Sequence, residues 1–323
     1  MLVSVGDLFL YVVLMRAGRL LFVFVAACGS APSSTSDDSA GDDAPPPPGG
    51  TYDADGAIDF TVTPEQIVNG GATINATLYM PSTPGKHPLV ALSCGSTQTA
   101  AGYVTYGTRL ASYGIAALIE DDAGALTNTG DITPNAAFAV DTWVPQMLGD
   151  QVDTAKIGLA GHSRGGAVSL LIAEHELKGK VVAWFGLDPV DNQFGQAPRQ
   201  FARTDLGAIG IPTAFLGAEV TSNCAPAADS YPTLFPLAPA PSVLVVGLGA
   251  GHTQLEPADG CTACGICSPS GTADPAVVLA YATRYLTAFF ARELLGDTAV
   301  GATFDGALGP DDVAAGRVTI MSK

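Results

Sequence analysis

Residues 156–171 read Lys-Ile-Gly-Leu-Ala-Gly-His-Ser-Arg-Gly-Gly-Ala-Val-Ser-Leu-Leu. Residues 156–160 contain a short apolar run typical of a buried strand, and the apolar run from Ala167 onward is typical of a buried helix. Only a glycine-rich segment separates the two runs, so the chain has to turn sharply between them. The stretch therefore predicts a strand, a tight turn and a helix, with Ser163 in the turn.

Similar apolar runs recur on both sides of this turn. Residues 73–80 alternate apolar and polar side chains and end before Pro81, which predicts an antiparallel edge strand. The other predicted strands are continuous apolar runs, at residues 88–94, 115–119, 156–160, 181–187, 213–216 and 242–248. The predicted helices are at residues 103–113, 135–148, 164–175 and 275–295. This alternation predicts one α/β domain with a mostly parallel central sheet and helices on both faces.

The turn has the Gly-x-Ser-x-Gly pattern of a nucleophilic serine placed between a strand and a helix. Gly161 and Gly165 flank Ser163, where a strained serine backbone would bring neighbouring segments too close for a Cβ atom. The helix start after the serine would also stabilise a developing negative charge. The context predicts an α/β-hydrolase fold with Ser163 as nucleophile. The alternative is an incidental serine in a chain that contains 38 glycines.

A serine hydroxyl needs a general base to become an effective nucleophile, and the chain has four histidines. His252 follows the last predicted strand, at the carboxyl edge of the sheet, where this fold presents its base. His162 lies inside the turn and is expected to buttress it. His87 precedes a proline at a strand start, and His175 lies in a helix. His252 is therefore the candidate base.

Two acidic residues are candidates for the carboxylate that orients the base. Asp188 follows the strand after the turn, and Glu219 ends the next strand. Both keep the chain order serine, acid, histidine. Asp191 is a third and weaker candidate. Position along the chain leaves the choice between Asp188 and Glu219 open.

An oxyanion hole requires two preorganised N–H donors. The backbone N–H of Arg164, directly after the candidate nucleophile, is expected to supply the first. Ser96, in the loop after Cys94, is the expected source of the second. The alternative for Gly95-Ser96 is an ordinary turn between a strand and a helix.

Two motifs carry a family resemblance. Gly-His-Ser-Arg-Gly-Gly at residues 161–166, followed by Gly-Leu-Asp-Pro-Val-Asp at residues 186–191, resembles the chlorophyllase group of α/β-hydrolases. The sequence is also similar to the platelet-activating-factor acetylhydrolase and bacterial polyesterase branches, and the likeness covers about residues 58–295. It implies ester hydrolysis and favours Asp188 as the acid. Members of the group usually carry His-Gly where this chain has Cys94-Gly95.

The first 28 residues are expected to be a lipoprotein signal peptide. Arg16 and Arg19 precede an apolar run that ends Val-Ala-Ala-Cys, which is similar to a bacterial lipobox and predicts lipidation of Cys28. Residues 1–14 are apolar and lie upstream of the arginines, which favours a true start at Met15. The alternative is a transmembrane anchor, but the two arginines interrupt the apolar segment that it would need.

Residues 29–50 are rich in Ser, Pro, Asp and Gly, including four consecutive prolines. Such a segment has almost nothing apolar to bury and predicts a disordered tether. The domain interpretation is then a catalytic domain at residues 51–296 and a C-terminal extension at residues 297–323. We expect a bacterial cell-envelope lipoprotein, facing the periplasm or at the cell surface.

Five cysteines follow Cys28. The Cys-x-x-Cys-x-x-Cys spacing in the last three is also found in metal sites, but an oxidising compartment favours disulfides. The disulfide candidates, with their pairing left open, are Cys224, Cys261, Cys264 and Cys267. Cys94 is expected to remain a free, buried thiol. Neither a metal nor a cofactor is expected.

The formal net charge is −17, from 31 acidic and 14 basic side chains. A surface with this excess of negative charge repels nucleic acid, so nucleic acid is excluded as a partner.

Together these features predict an exported, lipid-anchored serine carboxylic-ester hydrolase. It is expected to be a monomer and to act on a small-molecule or polymeric ester through an acyl-enzyme. The alternatives are an acyltransferase with the same triad and a non-catalytic surface binding module on a hydrolase scaffold.

Overall fold

The computed structural model describes residues 4–5, 8–9, 51–122, 129–192, 201–257, 264–306 and 308–323. Within residues 1–43 it describes one antiparallel pair of short strands, Ser4–Val5 with Leu8–Phe9. The predicted lipidation site, Cys28, and the predicted tether lie outside the described residues. A membrane-spanning helix, long and apolar enough to cross a bilayer, is not found in the part of the chain that is described.

The rest of the described chain is built around a nine-stranded sheet. Its strands are β1 Phe60–Asn69, β2 Ala72–Pro81, β3 His87–Ser93, β4 Ala116–Glu120, β5 Val152–His162, β6 Val181–Leu187, β7 Thr213–Val220, β8 Ser242–Gly251 and β9 Val318–Ser322. Their order across the sheet is β9-β8-β7-β6-β5-β3-β4-β2-β1. The strands from β8 to β4 are parallel, and β1, β2 and β9 pair antiparallel. This is the mostly parallel sheet of an α/β-hydrolase, as predicted.

Helices cover both faces of the sheet. They are α1 Val104–Ser112, α2 Thr129–Phe138, α3 Val144–Leu148, α4 Arg164–Leu171, α5 Tyr231–Leu234, α6 Pro275–Phe290 and α7 Gly309–Ala314. One apolar core lies between the sheet and α1 with α6, and it contains Tyr106, Phe185 and Tyr285. A second core lies under α2 and α4 and contains Leu170 and Trp184. The sheet is therefore buried on both faces, which explains its continuous apolar strands.

The edge of the sheet differs from the prediction. The strand predicted at residues 73–80 is β2, and it lies inside the sheet because β1 pairs with its outer side. β1 is polar and contains Pro64, and among its side chains only Ile67 is fully buried. A proline is tolerated only at a sheet edge, and exposed strands lose the apolar alternation by which strands are recognised. The edge-strand prediction for residues 73–80 was wrong because β1, which forms the edge, lacks the apolar alternation that would have revealed it as a strand.

Residues 297–323, expected to be an extension, supply α7 and β9 instead. β9 pairs antiparallel with β8, so the strand predicted to be the last is covered by one more. In α7 the buried carboxylate of Asp312 forms ion pairs with Arg284 of α6 and with Arg317, which attach this segment to α6. The sheet of the candidate catalytic domain thus extends to the C-terminal strand.

Parallel strands bring their carboxyl ends to one edge of a sheet. β3, β5, β6 and β8 end at Ser93, His162, Leu187 and Gly251. The segments that follow these four strands carry the predicted nucleophile, the predicted base, the candidate acid Asp188 and the two predicted oxyanion donors. The fold therefore places the predicted site residues together.

Candidate active site

Ser163 occupies a strained turn between β5 and α4. Its backbone has φ 55° and ψ −125°, a region that residues with a side chain rarely adopt. Three backbone hydrogen bonds hold it there. The Ser163 N–H donates to Leu187 O (3.1 Å), and the Ser163 carbonyl accepts from Gly166 N (3.0 Å) and Val190 N (2.8 Å). The turn is thus fixed against the loop that follows β6.

The two flanking glycines have no room for a side chain. A Cβ atom on Gly161 would lie 2.1 Å from the carbonyl oxygen of Gly165. A Cβ atom on Gly165 would lie 2.0 Å from the carbonyl oxygen of Ser93. Both contacts involve backbone atoms, which cannot move aside as a flexible side chain could. The close approach of β3, β5 and α4 therefore requires glycine at both positions.

His252 lies between Asp188 and Ser163. Its Nδ1–H donates to Asp188 Oδ2 (2.7 Å), and its Nε2 accepts from the hydroxyl of Ser163 (2.9 Å). The other carboxylate oxygen of Asp188 accepts from Ala218 N (3.2 Å). His252 is 5% exposed and Asp188 is 2% exposed. A serine, a histidine and a carboxylate in this arrangement can activate the hydroxyl and stabilise the imidazolium that forms.

The other candidate acids have different partners. The exposed Glu219 carboxylate, near the end of β7, accepts from the amide of Gly249 in β8 (2.7 Å). Asp191 is buried, forms an ion pair with Arg203 (2.9 Å) and accepts from the amide of Ala202 (3.0 Å). Glu219 therefore joins two strand ends and Asp191 fixes the segment at Ala202, whereas Asp188 contacts the imidazole.

The residues predicted for the oxyanion hole, Ser96 and Arg164, line the same cleft as Ser163 and His252. Arg164 is the first residue of α4, so its backbone N–H lies at the helix N-terminus, where negative charge is stabilised. Sequence reasoning did not anticipate the role of its side chain. The guanidinium forms a buried ion pair with Asp122. Asp122 also accepts from the amide of Thr97 in residues 95–98, which we call the oxyanion loop because Ser96 is the expected second donor.

The cleft in front of Ser163 has a volume of about 180 Å³. Much of its wall is apolar and includes Val190 and Ile266. A disulfide between Cys224 and Cys267 also lines the cleft, and it joins the loop after β7 to the segment before α6. An apolar cleft beside the hydroxyl suits the uncharged acyl or alcohol part of an ester.

The disulfide answers part of the cysteine prediction. Cys224 and Cys267 are bonded, and Cys94 is a free, buried thiol, as expected. Cys261 and the side chain of Cys264 lie outside the described residues. No group of three or more metal-type ligands with suitable geometry occurs among the residues whose placement is given.

His162 was expected to buttress the turn, but its buried polar contacts next to His252 were not predicted. His162 donates from Nε2 to the carbonyl of His252 (3.1 Å), and its Nδ1 contacts the hydroxyl of Tyr103 (2.7 Å). Burial, followed by the neighbouring His252, holds the pKa of His162 well below its usual range. Glu256 lies 3.9 Å from His162 Nδ1, and burial raises its pKa to about 8. In the sequence, Tyr103 resembles an ordinary aromatic core residue, so nothing in the sequence indicates its contact with His162.

The two remaining histidines lie apart from the cleft. His87 Nε2 contacts the carbonyl of Thr83 (3.0 Å), and His175 lies 3.3 Å from the carboxylate of Asp205. The side chain of His175 is 33% exposed. His162 and His252 are thus the two histidines of the site.

The Chlorophyllase family model matches residues 59–269, which is more than half of the chain. The chain therefore belongs to the chlorophyllase family, as its two motifs suggested. This membership indicates an α/β-hydrolase with an activity of the ester-hydrolase type. The comparison with curated proteins gives no match.

Proposed function

We propose that this member of the chlorophyllase family is an exported, lipid-anchored serine carboxylic-ester hydrolase that uses Ser163, His252 and Asp188. One observation carries the proposal. His252 makes hydrogen bonds of 2.9 Å to Ser163 and 2.7 Å to Asp188 within an open cleft. A purely structural histidine would not need to bridge a carboxylate and a strained serine at a helix N-terminus.

The reaction would proceed through an acyl-enzyme. Ser163 Oγ attacks the ester carbonyl carbon while its proton passes to His252 Nε2. The tetrahedral intermediate collapses when the alcohol leaves and takes that proton from His252. Water then attacks the acyl-enzyme, giving its proton to His252, and the carboxylic acid departs as Ser163 is reprotonated.

The negative charge on the carbonyl oxygen would be stabilised by the backbone N–H groups of Arg164 and Ser96. Removal of one such donor from a serine hydrolase typically costs about 10²- to 10³-fold in kcat. The N-terminus of α4 adds its favourable dipole at the same point. The buried Asp122–Arg164 pair supports both donors, because it joins α4 to the oxyanion loop.

The substrate would be a small-molecule or polymeric ester. The cleft volume of about 180 Å³ favours a short acyl chain, and the apolar wall around Val190 and Ile266 favours uncharged groups. The strongly acidic chain, with net charge −17, disfavours esters that carry several negative charges.

Hydrolysis of p-nitrophenyl esters tests the proposal. The full-length chain should hydrolyse the acetate and butyrate esters faster than the palmitate ester, and Ser163→Ala should abolish the activity. Ser169→Ala is the matched control, since Ser169 is a buried serine on α4 that contacts Gly166 and Trp184. It should lower the melting temperature but keep kcat. Full activity in Ser163→Ala would refute the proposal, and capture of the acyl group by added alcohol in preference to water would indicate an acyltransferase.

Export and lipidation rest on the sequence around Cys28. Expression in a bacterium that processes lipoproteins, with a radiolabelled fatty acid in the medium, should label the protein and place it in the membrane fraction. The Cys28→Ala variant should carry no label and should be absent from the membrane fraction. Equal fractionation of the two proteins would contradict the anchor while leaving the esterase proposal intact.

A further inference from the structure

Tyr103 and His162 are buried residues that take no direct part in the proposed reaction. Tyr103 is 0% exposed and lies in the 3₁₀ segment before α1, while His162 is 1% exposed and ends β5. Buried polar groups that are hydrogen-bonded to each other fix a single geometry, and they are costly when one member is lost. These two residues lie between the oxyanion loop and the backbone of His252.

Three hydrogen bonds run in sequence through this pair. The amide of Gly95 donates to the hydroxyl oxygen of Tyr103 (2.9 Å). The hydroxyl of Tyr103 lies 2.7 Å from His162 Nδ1. His162 Nε2 lies 3.1 Å from the carbonyl oxygen of His252. The oxyanion loop and the candidate base are thus joined by a single chain of contacts through the core.

The His252 end of the chain, together with a neutral His162, fixes its direction. A backbone N–H can only donate, and a carbonyl oxygen can only accept. The carbonyl of His252 therefore accepts from His162 Nε2, which carries the proton. In a neutral imidazole Nδ1 then has no proton and accepts from the hydroxyl of Tyr103, whose oxygen accepts from the amide of Gly95.

The surroundings of His162 favour that neutral form. Burial lowers the pKa of His162 well below its usual range, and the ring of His252, 4.7 Å away between centroids, lowers it further. Among the described residues, the carboxyl group of Glu256 approaches Nδ1, at 3.9 Å. Burial raises the pKa of Glu256 to about 8, so at neutral pH this carboxyl group is largely protonated and does not stabilise a cation.

We propose that Tyr103 and His162 act as one positioning unit, which holds the backbone of His252 and the loop at Gly95-Ser96 in the geometry needed for catalysis. The inference rests on the proposed function, since it assumes that Ser163 is the nucleophile. At one end, the bond to the His252 carbonyl fixes the imidazole against Ser163. At the other, the bond to Gly95 fixes the loop directly before Ser96, the expected oxyanion donor.

Tyr103→Phe removes one hydroxyl group and keeps the aromatic ring. We expect kcat to fall about 10- to 100-fold while KM changes little, because small displacements of reacting groups cost rate and spare binding. The matched control is Tyr52→Phe, since Tyr52 is also buried and its hydroxyl also donates to one partner, Asp297. The control should lose stability and keep kcat.

His162→Gln tests the other member by conservative replacement. The glutamine amide can still donate to the carbonyl of His252, so kcat should lie between those of the wild-type protein and His162→Ala. If the two residues form one unit, the double variant Tyr103→Phe/His162→Gln should lose no more than the worse single variant. Losses that multiply would show independent effects and overturn the proposal.

The protonation state of His162 is a readout that does not depend on activity. In ¹⁵N-histidine-labelled protein, one imidazole should remain neutral and protonated on Nε2 throughout the neutral pH range, and its signals should disappear in His162→Gln. Titration of this imidazole at an ordinary histidine pKa would overturn the proposal, and so would wild-type kcat in Tyr103→Phe. Ser163→Ala separates the two hypotheses. If it is inactive while Tyr103→Phe is unaffected, only the positioning role fails; if it is fully active, the proposed function fails.

Discussion

Asp122 and Arg164 form an ion pair behind the candidate nucleophile, with only 3% and 5% of their side chains exposed. The same carboxylate accepts a hydrogen bond from the amide of Thr97 (2.8 Å), a residue with φ 65° in the oxyanion loop. Asp122 therefore joins the first turn of α4 to the loop expected to bind the oxyanion. A buried pair of this kind maintains geometry more reliably than it adds net stability.

Asp122→Asn should impair both folding and catalysis. Removal of one partner from a buried ion pair typically costs about 3 to 5 kcal/mol, because the other charge stays buried. We expect the free energy of unfolding in urea to fall by about 3 kcal/mol. We also expect kcat to decrease more than KM changes, because the oxyanion loop loses its fixed position.

Asp55→Asn is the control for the ion pair. Asp55 pairs with Arg109 at 2.7 Å, but its side chain is 56% exposed. An exposed pair contributes at most about 1 kcal/mol, so this variant should keep nearly all its stability and all its activity. Equal losses in Asp122→Asn and Asp55→Asn would show that the buried pair has no special role.

Asp188→Asn and Glu219→Gln distinguish the two acids. Asparagine at residue 188 favours the wrong imidazole tautomer, so kcat should fall about 10⁴-fold. Glutamine at residue 219 can still accept from the amide of Gly249, and kcat/KM should change by less than about threefold. Steady-state hydrolysis of p-nitrophenyl acetate measures both. The opposite order of effects would assign the acid to Glu219.

The disulfide between Cys224 and Cys267 should stabilise the protein and shape the cleft. It joins residues 43 apart in sequence, which by the loop-entropy argument corresponds to about 4 kcal/mol. The double variant Cys224→Ser/Cys267→Ser should therefore unfold at lower urea concentration, and its KM should rise because the wall at Ile266 is released. Cys94→Ala is the control, since it removes a buried thiol without breaking a covalent bond. If KM of the double variant equals that of the wild-type protein, the cleft wall at Ile266 does not contribute to substrate binding.

Three buried glutamates should make the protein less stable as the pH rises. Burial raises the pKa values of Glu120, Glu174 and Glu256 to about 8, 9 and 8. Their pKa values in the unfolded chain are near 4.3, so between pH of about 5 and 9 the folded state binds more protons than the unfolded state. The free energy of unfolding then falls as pH rises through this window.

Glu174→Gln should flatten that dependence, because an amide stays neutral at every pH. Relative to the wild-type protein, the variant should be more stable at pH 9 than at pH 5, as measured by urea unfolding at both values. Glu176→Gln, two residues away and exposed, should leave the dependence unchanged. If the pH dependence of Glu174→Gln equalled that of the wild-type protein, Glu174 would not contribute to it.

The central strands and the turn at Ser163 could be predicted from the sequence because their signals are local. Apolar runs bounded by turns gave the strands from β3 to β8, and the Gly-x-Ser-x-Gly pattern is contained in residues 161–165, although Gly165 also has to leave room for the distant Ser93. Placement of His252 needed only the rule that parallel strands end at one edge. The choice of Asp188 needed the family resemblance, because Asp188 and Glu219 both follow buried strands.

The missed features depend on contacts between distant segments. Tyr103 and His162 are 59 residues apart, and Asp122 and Arg164 are 42 apart, so no local pattern joins them. β1 and β9 lie at the sheet edges, where exposed side chains remove the apolar alternation. The Asp121-Asp122 pair directly after an apolar strand was a usable signal, since charged residues at the carboxyl end of a parallel strand often serve the site.

Labelling with a fluorophosphonate probe tests the role of Ser163 most directly. The probe forms a stable covalent bond only with a serine that has been activated as a nucleophile, and mass spectrometry of the digested protein identifies the residue. We predict one adduct per chain, on Ser163, with no labelling in Ser163→Ala and strongly reduced labelling when His252 is replaced by alanine. Labelling of Ser163→Ala equal to that of the wild-type protein, or an adduct on a different residue, would contradict the account.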